Sequence, residues 1–156
     1  MFRPFVTLSL LFCSLFSHAQ SKQKAEQEFL QQLNSIIQHS PRHHWSYEGK
    51  MTIDSAFAIS KKGILSVSLH YTTDSSVIKV RIEAPLRKLV TVSLDDFLIL
   101  ETKGKDVSFY LSENGSNVLL GNGKGSLFHI GIPENDGENK RDKLSRALAN
   151  VLKFYK

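Results

Sequence analysis

The sequence predicts an α+β fold, with an N-terminal helix, an antiparallel β-meander of about 7–8 strands and a C-terminal helix. Apolar and polar residues alternate through most of the stretch from Trp45 to Ile130, which is typical of strands with one buried and one solvated face. Turn-forming residues recur there roughly every 10 residues, as consecutive hairpins require. The segments on either side carry apolar residues at helical spacing. We therefore expect a curled sheet or partial barrel covered by two helices.

The first predicted strand shows the two faces most clearly. Tyr47, Met51 and Phe57 fall on one side, whereas Glu48 and Asp54 fall on the other. The same alternation in later strands, together with the helical stripes, predicts a common core. Its predicted members are Trp45, Tyr47, Ile53, Phe57, Val67, Leu69, Val80, Val92, Phe97, Ile99 and Phe109 from the strands, with Leu33, Ile37, Leu148 and Leu152 from the helices.

Two amphipathic helices are predicted to cover the apolar face of the sheet. The first runs from Ser21 to Ser40, and Pro41 ends it because the residue before a proline avoids helical backbone angles. The second follows Asn139, a residue type that favours the N-cap position. Each helix has a single apolar stripe, and the apolar face of a sheet needs a cover, so the stripes are predicted to pack on the sheet.

Residues 1–19 have the pattern of a signal peptide and are predicted to be removed. Arg3 gives a positive start, an apolar run of about a dozen residues follows, and Ala19 offers a cleavage site. The alternative is an uncleaved membrane anchor. Cleavage near Ala19 would export a single α+β domain of residues 20–156, either periplasmic or secreted. That mature chain would have no transmembrane segment and, because Cys13 is removed, no cysteine.

The predicted turns alternate in charge along the chain. Successive turns of an up-and-down meander lie at alternate ends of the sheet; the odd turns are basic and the even turns acidic, with Glu101, Asp106 and Arg42 as departures. We call the cations of the odd turns the basic rim; its members are Lys61, Lys62, Arg87, Lys88, Lys103, Lys105 and Lys124. The acidic turns carry Asp74, Asp95, Asp96, Glu113, Glu134, Asp136 and Glu138. The rim predicts attraction to an anionic surface, a lipid headgroup or a protein partner, although lysine and aspartate are also ordinary turn residues.

The polar face of the predicted sheet carries the candidates for catalysis. They are Glu48, Asp54, His70, Arg81, Glu83 and Tyr110. A histidine beside a carboxylate can do acid–base chemistry and two carboxylates can hydrolyse glycosides, but the spacing selects no pair. The chain also lacks a nucleophile-elbow motif. A hydrolase is therefore the third hypothesis, and we expect the protein not to be an enzyme.

The sequence predicts no cofactor, metal or nucleic-acid site. His39, His43 and His44 are close together, but no acidic residue or cysteine lies in their loop to complete a metal shell. Gly121–Gly125 lacks both the dinucleotide-binding spacing and a following helix, so it is predicted to form a hairpin turn. The formal net charge of +5 is mildly basic, and no nucleic-acid-binding motif accompanies it.

The order of signal peptide, amphipathic helix and long meander resembles, at the level of the fold alone, the half-barrel carriers that move lipoproteins across the periplasm. That resemblance implies an apolar ligand held between helix and sheet. The residues favour another function, an exported, non-catalytic binding or interaction module that uses the basic rim. The carrier is the alternative, and it needs an unfilled apolar cavity on the order of a few hundred Å³.

Overall fold

The computed structural model describes residues 5–38, 49–94, 97–112, 115–130 and 137–156, which form two helices and eight strands. Helix α1 is Phe5–Gln38 and helix α2 is Gly137–Leu152. The strands are β1 (Lys50–Ile59), β2 (Ile64–Thr72), β3 (Val77–Pro85), β4 (Leu89–Leu94), β5 (Leu98–Thr102), β6 (Val107–Ser112), β7 (Leu120–Gly125) and β8 (Leu127–Ile130). The predicted α+β fold class, with antiparallel sheets between two helices, is confirmed.

The strands divide between two antiparallel sheets. The larger sheet has the order β1-β2-β3-β6-β7 and the smaller has the order β4-β5-β8. Consecutive pairing, as in a meander, holds from β1 to β3, from β4 to β5 and from β6 to β7. It is interrupted where β6 returns to pair with β3 and where β8 pairs with β5. The hairpins of the predicted meander are therefore present, but they are shared between two open sheets.

Pro85 marks the point at which the chain leaves the larger sheet. It has no N–H for a further ladder bond, and Leu86–Lys88 form one 3₁₀ turn before β4 begins. The N–H of Leu86 donates to the carbonyl of Gly63 in the β1–β2 turn over 2.9 Å. The sequence predicted an interruption at Pro85, and the structure shows that the chain changes sheet there.

Helix α1 contributes a continuous stripe of side chains to the core. Its buried members recur at helical spacing and are Ala25, Phe29, Leu33, Ile36 and Ile37. The helix packs against β1 and α2. It ends at Gln38, close to the predicted end before Pro41, but it begins at Phe5 and so includes most of the predicted signal peptide.

The free edge of β1 is partly covered by a side chain of α1. The N–H of Phe57 donates to Asn34 Oδ1 over 2.8 Å, and Asn34 Nδ2 donates to the carbonyl of Phe57 over 3.3 Å. The side-chain amide of Asn34 therefore both accepts from and donates to the Phe57 backbone, as the backbone of a neighbouring strand would. An edge that is bonded in this way is less open to pairing with another chain.

Helix α2 packs on α1 and on β4. Its buried side chains are Leu144, Ala147, Leu148 and Val151. Beyond the helix, the ring of Tyr155 reaches the β1–β2 turn at Gly63. A Cβ atom on Gly63 would lie 2.5 Å from the Tyr155 ring, and the φ of Gly63 is 72°, so this position requires glycine for two reasons.

Most of the predicted core is buried. The predicted residues found buried are Leu33, Ile37, Phe57, Val67, Leu69, Val80, Val92 and Leu148. Those found half-buried are Ile53, Phe97, Ile99, Phe109 and Leu152. Trp45 and Tyr47 lie outside the described residues. In β5 the buried face carries Leu98 and Leu100, so the prediction placed Ile99 on the wrong face of a strand that is apolar on both sides.

Two local predictions were wrong. Gly121–Gly125 is not a hairpin turn but most of β7, which pairs with β6 as an edge strand. Gly125 leaves room for the ring of Phe109, since a Cβ atom there would come within 3.2 Å of it. Helix α2 begins at Gly137, so Asn139 lies inside the helix and is not its N-cap.

Replacing Leu33 with alanine should lower the free energy of unfolding by about 2–5 kcal/mol, because the side chain is fully buried and its removal leaves a cavity. Urea unfolding of the two proteins measures this difference. Gln31→Ala, at an exposed position of the same helix, is the control and should change stability by less than about 0.5 kcal/mol. Equal stabilities for Leu33→Ala and the wild type would show that α1 does not cover the sheets.

Candidate functional site

The turns that carry the basic rim lie at one end of the sheets, which we call the basic end. Strand β1 runs toward this end, and antiparallel pairing continues the alternation through β2, β3, β6 and β7. Backbone hydrogen bonds join the neighbouring turns: the N–H of Lys103 donates to the Lys88 carbonyl over 3.2 Å, and that of Thr102 to the Ser126 carbonyl over 2.8 Å. Successive strands run in opposite directions although they belong to two sheets, because every pair of neighbouring strands is antiparallel. Their connections therefore still lie at alternate ends.

The structure places the predicted rim residues on four neighbouring segments of the basic end. Lys61 and Lys62 are in the β1–β2 turn, Arg87 and Lys88 in the 3₁₀ turn, Lys103 and Lys105 between β5 and β6, and Lys124 near the end of β7. Lys124 is therefore a strand residue, opposite Ser108 in the register, and not a turn residue as predicted. Lys88 is half-buried, and the other rim side chains are exposed.

Two acidic residues offset part of this positive charge. Lys88 Nζ lies 3.9 Å from Asp106 Oδ2, and Glu101 is exposed on β5, opposite the first residue of β8. Lys61, Lys62 and Lys124 form no ion pair with any residue in the described part of the chain. The basic end therefore keeps a set of exposed, uncompensated lysines around one weak ion pair.

A cluster that the sequence did not predict borders the basic end. Tyr155 Oη donates a hydrogen bond to Glu26 Oε1, and Lys22 Nζ lies 3.7 Å from the same carboxylate oxygen. The same ammonium group lies 4.4 Å from the centre of the Tyr155 ring, within reach of a cation–π interaction. These side chains, with Ile59 and Lys61, line an open cleft of about 320 Å³.

Burial, and then the neighbouring Glu26 carboxylate, raise the pKa of Tyr155 well above its ordinary value. The phenol therefore stays protonated and acts as a donor, which fastens the C-terminal segment to α1. Lys156 follows it and adds a further exposed cation to the basic end. No local pattern predicts this contact, because Glu26 and Tyr155 are separated by 129 positions.

The described part of the opposite end carries both acidic and basic side chains. Asp74 is exposed there in the β2–β3 turn, whose Thr73 N–H donates to the Ser76 carbonyl over 2.9 Å. The side chains of Asp95, Asp96, Glu113, Glu134, Asp136 and Glu138 lie outside the described part of the chain. Because α2 ends at the basic end, its first turns, with Lys140 and Lys143, point toward the opposite end. Lys140 and Lys143 therefore add positive charge toward the end that the sequence predicts to be acidic.

The polar face of the larger sheet brings two pairs of the catalytic candidates together. His70 Nδ1 lies 2.6 Å from Asp54 Oδ1, across β1 and β2. Arg81 Nε donates to Glu83 Oε1 over 2.7 Å along β3, and Tyr110 lies opposite Arg81 in the β3–β6 register. Glu48 lies outside the described residues.

The His70–Asp54 pair has part of the geometry of a hydrolase site. In a catalytic triad, a carboxylate orients one imidazole nitrogen while the other nitrogen activates a nucleophile. Ser68 lies two residues from His70 on the same strand, yet no described hydroxyl group is hydrogen-bonded to the imidazole. The paired side chains are 26% and 35% exposed on a sheet face, where water screens their charges. The pair alone does not assemble a reaction site.

His129 occupies a different environment, on β8 beside the larger sheet. Its ring centre lies 6.2 Å from that of Phe109, and Ile99 is its partner in the β5–β8 register. Burial lowers the pKa of His129 to about 4, and a hydrogen bond with the Leu127 backbone opposes that effect. The imidazole is therefore neutral near pH 7 and contributes to packing between the strands.

The cavity between α1 and β1 is smaller than the site that a carrier's ligand needs. The cavity between α1 and β1 is lined by Ile37, Gln38, Met51, Thr52 and Ile53, and has a volume of about 100 Å³. Sites for small organic ligands usually measure about 300–1,000 Å³. Among the described residues, no group of three or more His, Cys, Asp or Glu side chains could hold a metal ion. His39, His43 and His44 lie outside the described residues.

Comparisons with protein-family models, curated protein sequences and solved structures found no match for this chain.

Acid should destabilise the protein through His129. The pKa of this group is about 4 in the folded chain and near its ordinary 6.5 in the unfolded chain, so only the unfolded chain binds the proton between these values. Stability should fall as the pH drops from about 6.5 toward 4, with a contribution from His129 on the order of 1–3 kcal/mol. Urea unfolding at several pH values measures it.

His129→Gln separates this effect from the titration of the carboxylates. The difference in unfolding free energy between wild type and variant should change between about pH 7 and pH 4.5, and should stay constant above about pH 7.5. A difference that does not depend on pH throughout this range would contradict the buried, neutral state of His129.

Proposed function

We propose that the protein is an exported, non-catalytic binding module whose basic end contacts an anionic surface or partner. The observation that carries the proposal is the joining of the rim turns into one surface. Backbone hydrogen bonds hold these turns side by side, while Lys61, Lys62, Lys103, Lys105 and Lys124 project from them with exposed side chains. Fixed turns keep the charges together, so their fields add over the same area.

The composition of the rim favours an extended anionic surface over a single small anion. An arginine presents a planar fork that binds one phosphate or carboxylate with two hydrogen bonds, whereas a lysine is a point charge on a flexible stem. Arg87 is the rim's only arginine, and it is exposed in a 3₁₀ turn. Mobile point charges spread over several turns fit many phosphates or carboxylates at once. Each would contribute on the order of 1 kcal/mol near an anionic membrane and less at high salt.

We favour a binding module over a carrier and over a hydrolase, for a different reason in each case. A carrier requires an apolar cavity, and the cavity beside α1 has room for a few water molecules only. A hydrolase requires a nucleophile within reach of the His70–Asp54 pair and a pocket that excludes water. Among the described residues, no hydroxyl group is hydrogen-bonded to His70, and the His70–Asp54 pair is partly exposed on the face of the sheet.

Reversing three rim charges should weaken binding to anionic vesicles. In the chain that begins at Gln20, we expect the triple variant Lys62→Glu, Lys88→Glu, Lys103→Glu to bind at least about tenfold more weakly than wild type, because each change replaces an attraction with a repulsion. Co-sedimentation with vesicles of phosphatidylcholine and phosphatidylglycerol in equal parts measures the affinity.

A second triple variant controls for net charge. Lys50→Glu, Lys140→Glu, Lys143→Glu alters the charge by the same amount, but these residues lie toward the opposite end of the sheets. It should keep most of the binding. Equal losses in the two variants would mean that net charge alone drives the attraction, and no binding by wild type would contradict the proposed function.

A further inference from the structure

The two edge strands of the larger sheet, β1 and β7, differ in how they are protected against pairing with another chain. In β1, the Phe57 backbone is bonded to the side chain of Asn34, and the register with β2 shifts twice along the strand. Lys50 and Asp54 also place charges on β1. Covered backbone groups, bulges and charges are the usual means by which an edge strand is protected. Within the described residues, no strand pairs with the outer edge of β7.

The start of β7 combines this open edge with exposed apolar side chains. Leu120, the first residue of the strand, is 69% exposed, and Val118, two residues before it, is 65% exposed. The third exposed large apolar side chain of the described residues is Val90 on β4, at 42%. Two of the three therefore lie together at one sheet edge. Apolar surface beside unpaired backbone groups is typical of a site at which another strand docks.

Leu120 lies on the face of the larger sheet that packs on the core. Its partner in the β6–β7 register is Leu111, which packs against the core while half-buried. Farther along the strand, Gly123 lies opposite Phe109, which is also half-buried on this face. Because glycine has no side chain, β7 adds little cover to its neighbour there. The apolar face of the larger sheet is therefore incompletely covered along β7.

The charges around this edge favour a second copy of the same chain as its partner. From Gly115 to Gly123 the sequence contains no charged residue, so two copies can approach there without opposing like charges. Lys124 is the only charged residue of β7, and antiparallel pairing of two β7 strands places the two lysines at opposite ends of the shared ladder. The two basic ends then also point in opposite directions. An edge that recruits a charged peptide would instead carry complementary charges to attract it.

We propose that β7 is a self-association edge, at which two copies of the protein pair their β7 strands antiparallel around a twofold axis. Leu120 and Val118 of each copy pack against the strand of the other, and the outer backbone groups of β7 gain partners. The β6–β7 register shifts once, between Gly121 and Gly123, so the regular stretch before that shift begins the pairing. The larger sheets of the two copies then form one continuous sheet.

Sedimentation velocity tests this association in the chain that begins at Gln20, which keeps the buried core from Ala25 to Val151. We expect a monomer at about 2 µM and a growing share of dimer toward about 200 µM, because pairing follows mass action. Leu120→Lys places a charge on the edge, as natural edge strands do, and should weaken dimerisation at least about tenfold. Val90→Lys makes the same kind of change on β4 and should leave dimerisation unchanged. Both positions are exposed, so neither change should unfold the protein.

Hydrogen exchange locates the contact. Backbone amides of β7 should exchange several-fold more slowly at the higher protein concentration, whereas those of β1, the other edge of the same sheet, should exchange at equal rates at both. A chain that stays monomeric at the higher concentration would overturn the proposal. A dimer that Leu120→Lys leaves intact, or that Val90→Lys weakens equally, would overturn it too, as would slower exchange confined to β1.

Discussion

The burial of one side of α1 against the sheets is the interaction on which the rest of the structure depends. Phe29 and Leu33 have no exposed surface, and they pack in the same core as side chains of both sheets and of α2. An antiparallel sheet with an apolar face needs such a cover. The two hydrogen bonds between Asn34 and the Phe57 backbone fix where the helix lies along β1.

Features that repeat locally could be predicted from the sequence, whereas the choice of strand partners could not. The period of 2 residues identified the faces of β1 to β3, since side chains alternate there irrespective of what pairs with them. The return of β6 to β3 depends on packing between distant segments, for which the chain carries no local signal. Gly121–Gly125 was misassigned because glycine favours turns, although in β7 the missing side chain makes room for Phe109.

The same distinction between local pattern and long-range packing applies to the candidate site. Counting turns indicated which segments share an end of the sheets, because the rule needs only antiparallel neighbours, which both sheets supply. The contact between Tyr155 and Glu26 was not predictable, because it depends on how two helices pack. The His70–Asp54 contact was not predictable either: both residues were assigned to the polar face, but which residues lie side by side there depends on the β1–β2 register, which shifts between Ile53 and Ser55. A register shift depends on which strands pair, so the spacing of apolar residues along one strand does not reveal it.

We propose that the basic end, and not the molecule's net charge, makes contact with anionic surfaces. The most direct measurement is the rate of acetylation of individual lysines in the chain that begins at Gln20, with and without anionic vesicles, read by mass spectrometry. Lys62, Lys103 and Lys124 should be protected several-fold by the vesicles, whereas Lys50 and Lys143, toward the other end, should react at unchanged rates. Equal protection of all five lysines, or protection of Lys50 and Lys143 alone, would contradict the account.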